Sequence, residues 1–336
     1  MTTRLLPTTM TALVQSSYGS DPDQVLRIAE VPRPTVGDGE VLVRVRAASI
    51  DRGTWHLMAG LAYPMRLVFG LRRPRFANPG RNLAGTVEAV GAGVDGFRPG
   101  DEVYGIAAGN GTFAEYAVAR PDRLAATPAN LTAEQAATVP VSATTALQAV
   151  RDHGRVRAGE SVLVLGASGG VGSFAVQIAK AMGAEVTGVA STAKLDAVRA
   201  LGADSVVDYT TEDPVDGRRR YDVVLDIAGN RPLRRLRRAL TPHGRLVIIG
   251  GETGGRWLDG LDRQLRAVLL SPFVGQRLGF FVTKENAADL VALRELIEAG
   301  RVTPAVDHVL SLAEVPGAIG RLVDGQVTGK LAVSIG

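Results

Sequence analysis

A glycine-rich segment in the middle of the chain combines residue types that bind phosphate. It follows the apolar run Ser161–Leu165 and leads into residues 171–182, where apolar residues recur at helical spacing. Glycines allow a tight turn and a close approach of backbone to a pyrophosphate, and free N–H groups at a helix start attract its charge. The order of strand, glycines and helix predicts a dinucleotide site; the alternative is an ordinary tight turn. The candidate residues are Gly166, Ser168, Gly169, Gly170, Val171 and Gly172.

The end of the next predicted strand indicates which dinucleotide binds. An NAD site usually has Asp or Glu about 20 residues beyond the glycines, where the carboxylate holds the ribose hydroxyls. Here the strand over 185–190 is followed by Ser191, Thr192 and Lys194, with no acidic residue among them. Hydroxyl groups and an ammonium suit a phosphate monoester, so Ser191 and Lys194 predict NADPH as the cofactor. The alternative for Lys194 is a solvated lysine at the start of a helix.

The pattern along the chain places this site in the second of two regions. A length of 336 residues suggests roughly two domains, at about 150 residues each. The first third contains short β-rich runs separated by Pro and Gly, which predicts a small all-β barrel. From about residue 132, short apolar strands alternate with helices, as in a parallel sheet covered on both faces.

The composition excludes several classes of protein and of site. Hydrophobic residues make up 46% and charged residues 21%, as in a globular protein with a buried core. The chain has no cysteine, so disulfides and thiolate zinc sites are impossible. No signal peptide is recognisable, and the uncharged stretch 161–179 is interrupted by glycine and serine. We therefore expect a cytoplasmic protein that does not bind membranes.

Five further segments resemble motifs of one family. They read AASID at 47–51, GTVEAVG at 85–91, PGDEV at 99–103, SATTA at 142–146 and GKLAV at 329–333. With the glycine loop, their order and spacing are similar to those of the medium-chain dehydrogenase/reductase superfamily, in its zinc-free NADPH:quinone oxidoreductase branch. The resemblance covers nearly the whole chain.

This resemblance implies an α/β fold of two domains. Residues 1–131 and 276–336 would form a GroES-like β-barrel domain that carries the substrate and the catalytic residues. Residues 132–275 would form a Rossmann domain, a doubly wound parallel sheet that binds the cofactor. The nicotinamide would lie in the cleft between them. Paired cofactor domains would form a homodimer, through the strand near 278–282.

The resemblance also implies further contacts with the cofactor. One residue would lie near the nicotinamide (Thr145) and one near the adenine or the 2′-phosphate (Tyr209). Loops at the carboxyl ends of parallel strands, where such sheets bind ligands, would supply Ala228, Gly229, Gly250, Gly251 and Glu252. The last candidates are Phe281, Val282 and Lys330, for which core packing or a surface charge is an equal alternative.

Departures from the zinc-containing members of the superfamily predict that no metal is bound. Those enzymes have Cys where Asp51 stands and His where Arg81 stands. Within the zinc-free branch, Asp51 replaces a typical Asn, Asn82 replaces a typical Asp, and His56 falls where many members have Tyr. These exchanges leave the acid–base assignment open.

Chemistry without a Lewis acid favours conjugated acceptors. A simple ketone needs its developing alkoxide stabilised, whereas hydride addition to a quinone or an enone spreads the charge into a hydroquinone anion or an enolate. Asp51, His56 and Tyr63 are the candidate catalytic residues, as proton carriers or, for Asp51, as a ligand of the nicotinamide ribose. The alternatives are a turn-capping aspartate, a packing histidine and a tyrosine of the pocket wall or core.

The predicted function is zinc-independent, NADPH-dependent reduction of a small-molecule quinone or α,β-unsaturated carbonyl compound. Two alternatives remain: a metal-free biosynthetic reductase or dehydrogenase of one specialised carbonyl metabolite, and a non-catalytic NADPH-binding sensor. The basic segments 218–220 and 231–238 contain no aromatic residues, and leucines recur at helical spacing in the second. We therefore expect no nucleic-acid partner.

Overall fold

The computed structural model describes residues 8–61, 63–109, 111–251 and 261–336. The strands in these ranges are β1 (Thr9–Gln15), β2 (Leu26–Pro32), β3 (Val41–Ile50), β4 (Asn82–Val90), β5 (Glu102–Ala107), β6 (Tyr116–Ala126), β7 (Ser161–Leu165), β8 (Glu185–Ala190), β9 (Ser205–Asp208), β10 (Tyr221–Asp226), β11 (Leu240–Ile248), β12 (Arg277–Phe280), β13 (Val306–Leu310) and β14 (Lys330–Ser334). The α-helices are α1 (Pro22–Val25), α2 (Arg52–Ala59), α3 (Arg66–Phe69), α4 (Ala133–Ala137), α5 (Pro140–Gln148), α6 (Gly170–Ala181), α7 (Leu195–Ala200), α8 (Leu233–Arg238), α9 (Leu261–Leu270), α10 (Ala287–Glu298) and α11 (Val315–Val323).

One six-stranded sheet combines both ends of the chain. Its strand order is β13-β14-β3-β4-β5-β6, and β3 also pairs with β6, which closes β3, β4, β5 and β6 into a small barrel. On β3, Val41, Val43 and Val45 share one buried core, because alternate residues of a strand lie on the same face. The C-terminal strand β14 pairs antiparallel with β3 and completes the N-terminal domain.

The second six-stranded sheet is parallel throughout, with the order β12-β11-β10-β7-β8-β9. On β7, Val162 and Val164 belong to one buried cluster, and Leu163 and Leu165 belong to another. Both faces of the sheet are therefore covered, as the alternation of strands and helices predicts. The strand order reverses between β7 and β10, and such a switch point is where doubly wound sheets bind ligands. The expected α/β fold is confirmed.

The strand β12 corrects the expected domain boundary. It pairs in parallel with β11, with Leu278 opposite Leu246, and so belongs to the cofactor sheet. A boundary between 275 and 276 is therefore too early, because the chain leaves this sheet only after Phe280. The physical reason is that a short apolar run has the same local pattern in either sheet, and only its distant pairing partner decides between them.

Helix lengths bear on membrane insertion. None of the helices in the described parts of the chain is long and apolar enough to cross a bilayer. The uncharged stretch 161–179 is divided into β7, the glycine loop and the greater part of α6, as its glycines and serines predict.

Candidate active site

The glycine loop joins β7 to α6 at the switch point of the parallel sheet. Gly166 has a φ of +84°, a conformation that side chains disfavour. A Cβ on Gly172 would lie 2.0 Å from the carbonyl oxygen of Gly166, so helix and strand approach closely only because that atom is missing. The N-cap is Gly169, which has no side chain to accept from the first N–H groups of this 12-residue helix. Together these features form a cradle that fits a pyrophosphate. Val171 is partly buried and packs against the core, and its contact with the cofactor stays a prediction.

Residues of the barrel domain adjoin this cradle. The carbonyl oxygen of Ser168 accepts a 2.8 Å hydrogen bond from the N–H of Gly329. The aliphatic part of Lys330 lies next to Gly170, where an added Cβ would be 2.8 Å from its Cδ. The Lys330 ammonium is buried and donates to the carbonyl of Ile50 at 3.0 Å, and burial lowers the pKa of this lysine. Lys330 therefore connects the two domains beside the glycine loop.

The residues predicted to select NADPH lie at the ends of β8 and β9. Ser191 precedes a helical turn over Thr192–Lys194, and the N–H of Tyr209 donates to the carbonyl of Ala190 at 3.1 Å. Tyr209 is half exposed, so its ring is accessible to a ligand. The hydroxyl of Thr192 donates to Asp208, and this hydrogen bond contributes most to the lowered pKa of that carboxyl group. The structure thus places Tyr209 beside the end of β8, next to Ser191. The hydroxyl of Thr192, the residue after Ser191, is bonded to Asp208.

Lys194 lies one turn beyond Ser191 and is half-buried. Its ammonium donates to the carbonyls of Gly325 at 2.6 Å and Val327 at 2.7 Å, and burial lowers its pKa. An ammonium has three N–H donors, so one is left for a phosphate oxygen. The contact of Lys194 with a 2′-phosphate stays a prediction.

The loops after β10 and β11 meet the glycine loop. A Cβ on Gly166 would lie 3.2 Å from the backbone nitrogen of Ala228, and one on Gly229 would lie 2.8 Å from that of Gly251. The three loops are therefore in backbone contact at the switch point, as the strand-end rule predicts. The predicted residues here are Ala228, Gly229, Gly250 and Gly251, whereas Glu252 lies outside the described residues.

Thr145 and the segment after β12 border the same region. The hydroxyl of Thr145, on α5, lies 2.9 Å from that of Thr283, and Thr145 is only 8% exposed. The ring of Phe281 stacks on that of His153, with centroids 4.2 Å apart. Val282, in contrast, is 82% exposed, so its side chain lacks the close packing that Phe281 has.

A polar network that the sequence did not indicate fixes the segment after β12. The side-chain amide of Gln148 donates to the carbonyl of Lys284 and to Asp289, both at 2.7 Å, and accepts from the Lys284 N–H at 3.0 Å. Burial raises the pKa of Asp289, but hydrogen bonds from Gln148, Asn286 and Arg151 outweigh this effect and lower it. Asp289 is therefore an anion that holds Gln148, and Gln148 holds the chain beside Thr283.

Asp51 lies between β3 and α2 and is 9% exposed. Its Oδ1 accepts from the N–H of Thr54 at 2.9 Å, and its Oδ2 accepts from Nδ2 of Asn82 at 2.9 Å. The Oδ1 of Asn82 accepts from the N–H of Val141 at 2.8 Å, so the orientation of this amide is determined. Both oxygens of Asp51 act as acceptors, and the bond from Thr54 caps α2. The role of Asp51 as a proton carrier stays a prediction. A contact with the nicotinamide ribose stays a prediction.

We predict that Asp51→Asn disturbs this pair and that a second exchange repairs it. In the variant, the new side-chain amide meets the NH2 group of Asn82, so one buried group loses its partner. This loss should lower the free energy of unfolding by about 1–3 kcal/mol. Adding Asn82→Asp restores a donor opposite an acceptor and recovers most of this loss. Urea unfolding of the wild type, both single variants and the double variant measures the coupling. Additive effects of the two exchanges would contradict the assigned contact.

His56 and Tyr63 lie on the segment that follows Asp51. The ring of His56, in the last turn of α2, is edge-on to that of Trp55, with centroids 5.0 Å apart. Tyr63 begins a short helical turn, and the guanidinium of Arg66 lies 4.7 Å from its ring centroid. Both residues are half-buried. Their role as proton donors stays a prediction.

The positions that hold zinc ligands in the zinc-containing members do not fit a zinc ion here. Asp51 is engaged by Thr54 and Asn82, as described. Arg81 forms an ion pair with Glu285, which also binds Arg123 at 2.9 Å, and a guanidinium offers a metal no lone pair. No three histidine, aspartate or glutamate side chains cluster as metal ligands anywhere in the described ranges.

Comparisons with known proteins agree with this geometry. Residues 37–129 match the family model of the alcohol dehydrogenase GroES-like domain, and residues 201–333 match that of the zinc-binding dehydrogenases. The chain is 30% identical over 341 residues to a chloroplast envelope quinone oxidoreductase homolog of Arabidopsis thaliana, covering 96% of this chain and 98% of that protein. The chain belongs to the medium-chain dehydrogenase/reductase superfamily. The superfamily predicted from the motifs is therefore confirmed.

Two further proteins place this superfamily member in the quinone-oxidoreductase-like branch. It is 31% identical to the mitochondrial NAD(P)H oxidoreductase RTN4IP1 of Mus musculus, covering 99% of this chain and 91% of that protein. The quinone oxidoreductase of Coxiella burnetii superposes with a TM-score of 0.83 at 26% identity, covering 98% of this chain and 100% of that chain. The combination of a GroES-like and a Rossmann domain is confirmed, and the protein is an NAD(P)H-dependent oxidoreductase.

Proposed function

We propose that this oxidoreductase is a metal-free, NADPH-dependent reductase of quinones and α,β-unsaturated carbonyl compounds. The observation that carries the proposal is the joint placement of a pyrophosphate cradle and of Ser191 and Lys194 at the end of β8, where an NAD enzyme has a carboxylate. The relatives named quinone oxidoreductases support the class of acceptor. The misfit of Asp51 and Arg81 to a zinc ion supports an acceptor that needs no Lewis acid.

The residues of the site would orient the two reactants. Bound NADPH would supply a hydride from its nicotinamide ring. The glycine loop would hold the pyrophosphate, and the Gln148 network would fix the wall that Thr145 borders. His56 and Tyr63 would hold a proton near the acceptor, since an enolate or a hydroquinone anion must be protonated after reduction.

Steady-state oxidation of NADPH, with NADH in parallel, tests this proposal against a panel of quinones and enones. The protein is first dialysed against EDTA. We expect turnover that is unchanged by the dialysis and a kcat/KM that is roughly tenfold or more higher with NADPH than with NADH. Loss of activity with EDTA, or a preference for NADH, would contradict the corresponding part of the proposal.

We also propose a homodimer formed through the edge of the cofactor sheet. The strand β12 ends this sheet, and α9 and the turn after it expose Leu265, Leu269 and Phe273, with Phe273 at 84% exposure. Within the described ranges no strand pairs with the outer edge of β12, and such an edge beside an apolar patch is a typical interface with a second copy of the chain.

We predict that Leu269→Asp and Phe273→Asp convert this dimer into monomers, because a buried carboxylate at the interface would have no partner. The matched control is Val309→Asp on the barrel domain, a residue that is 56% exposed on β13. Sedimentation velocity separates the two states. A monomeric wild type, or dimeric variants at both positions, would contradict the proposed interface.

A further inference from the structure

A buried ion pair lies behind the loops at the switch point. Asp226, the last residue of β10, is fully buried, and Arg263 of α9 is only 7% exposed. Nη1 of Arg263 forms an ion pair with Oδ2 of Asp226. Burial raises the pKa of Asp226, and the charge and the hydrogen bond of Arg263 offset only part of this effect. The two charges thus depend on each other in an apolar environment.

The same two side chains hold both strand-end loops. Oδ1 of Asp226 accepts from the N–H of Gly229 at 3.2 Å, in the loop after β10. Nη1 of Arg263 donates to the carbonyl of Arg231 at 3.0 Å, in the same loop, and Nη2 donates to the carbonyl of Gly250 at 2.9 Å, in the loop after β11. The planar guanidinium therefore connects the ends of two neighbouring strands through two of its nitrogens, in a fixed fork that an ammonium lacks.

Stability alone does not account for such a pair. The attraction between buried charges is largely offset by the loss of their hydration, and apolar replacements are often as stable. What this pair adds is geometry, because it determines the distance between the loops that contain Gly229 and Gly250. In a doubly wound sheet the strands β10, β11 and β12 form the half that receives the nicotinamide nucleotide, and β7, β8 and β9 form the half that receives the adenosine.

We propose that Asp226 and Arg263 are positioning residues that hold the backbone at Gly229, after β10, and at Gly250, after β11, in the arrangement that receives the nicotinamide half of the cofactor. Neither residue touches the cofactor; they act through the backbones of Gly229 and Gly250. The inference rests on the proposed binding of a nicotinamide dinucleotide, and it assigns to the pair an effect on one half of that ligand only.

Ligands that contain only the adenosine half of the cofactor, called half-ligands below, distinguish this role from a general structural one. Dissociation constants are measured for NADPH and for adenosine 2′,5′-bisphosphate, which lacks the nicotinamide nucleotide. NADH and AMP form a second pair of ligands that does not depend on the 2′-phosphate. The variants are Arg263→Lys, which keeps the charge but not the fork, and the neutral double variant Asp226→Asn with Arg263→Gln, which leaves no unpaired buried charge.

We expect both variants to bind the dinucleotides about tenfold or more weakly and the half-ligands within about twofold of the wild type. The matched control exchanges the ion pair of Lys180 and Asp204 for Gln and Asn, since this pair is half exposed and lies at the far end of α6. Unchanged binding of the dinucleotides would overturn the proposal, and so would equal weakening of whole and half ligands. A wild type that binds neither dinucleotide would refute the proposed function itself, which is a different result.

Discussion

Gly172→Ala is expected to weaken binding of the cofactor roughly 100-fold in a chain that still folds. The added Cβ would lie 2.0 Å from the carbonyl oxygen of Gly166 and 2.8 Å from Cα of Ala167, and both are backbone atoms that cannot rotate away. Loop and helix must separate, which deforms the cradle for the pyrophosphate. We expect a loss of about 3 kcal/mol of binding free energy, or roughly 100-fold in the Kd of NADPH. Isothermal titration calorimetry measures this change, and adenosine 2′,5′-bisphosphate should be affected as well.

Gly317→Ala is the matched control for this variant. Gly317 lies in α11, and a Cβ there would meet nothing within 4 Å. The control should keep its affinity for NADPH and gain up to about 1 kcal/mol of stability, because alanine favours a helix more than glycine does. Circular dichroism of both variants shows whether the fold persists. An unchanged Kd in Gly172→Ala would contradict the assignment of the glycine loop.

Lys194→Ala is expected to weaken the binding of NADPH and to leave that of NADH unchanged. A hydrogen bond to a charged group contributes about 1.5–3 kcal/mol, so the Kd of NADPH should rise roughly 10- to 100-fold. NADH lacks the 2′-phosphate and loses no such contact. The measurement is the ratio of the two dissociation constants in the wild type and in the variant.

Lys180→Ala is the control for the loss of one positive charge. Lys180 lies in the last turn of α6 and pairs with Asp204 at 2.8 Å. Its removal should leave the ratio of the two constants as in the wild type. If Lys194→Ala weakens both cofactors equally, then the lysine serves only to hold the carbonyls of Gly325 and Val327, and the assigned contact with the 2′-phosphate is wrong.

Sequence patterns predicted those parts of the fold whose signal lies within one segment. The apolar run Ser161–Leu165 forms β7, and the glycine loop after it leads into α6, as their order predicts. At the start of the region where strands and helices alternate, Thr132 caps α4 in a reciprocal pair with Gln135. In each case the residues that determine the structure are neighbours in the chain, so no distant partner can override them.

Other parts depend on partners that no local pattern reveals. Gln148 and Asp289 are 141 residues apart, and Asp226 and Arg263 are 37 residues apart. The strand β12 was assigned to the wrong domain for the same reason. Asp226 does carry one usable signal, because a carboxylate that ends an apolar strand must find a partner when it is buried.

Transfer of the hydride itself tests the central claim most directly. The EDTA-dialysed protein is incubated with a conjugated enone and NADPH that carries deuterium at C4, on each face of the ring separately. We predict that only one of the two labelled forms delivers its deuterium, and that NMR finds it on the β-carbon of the saturated product. Deuterium at the carbonyl carbon, or a product free of deuterium with both forms, would contradict the account.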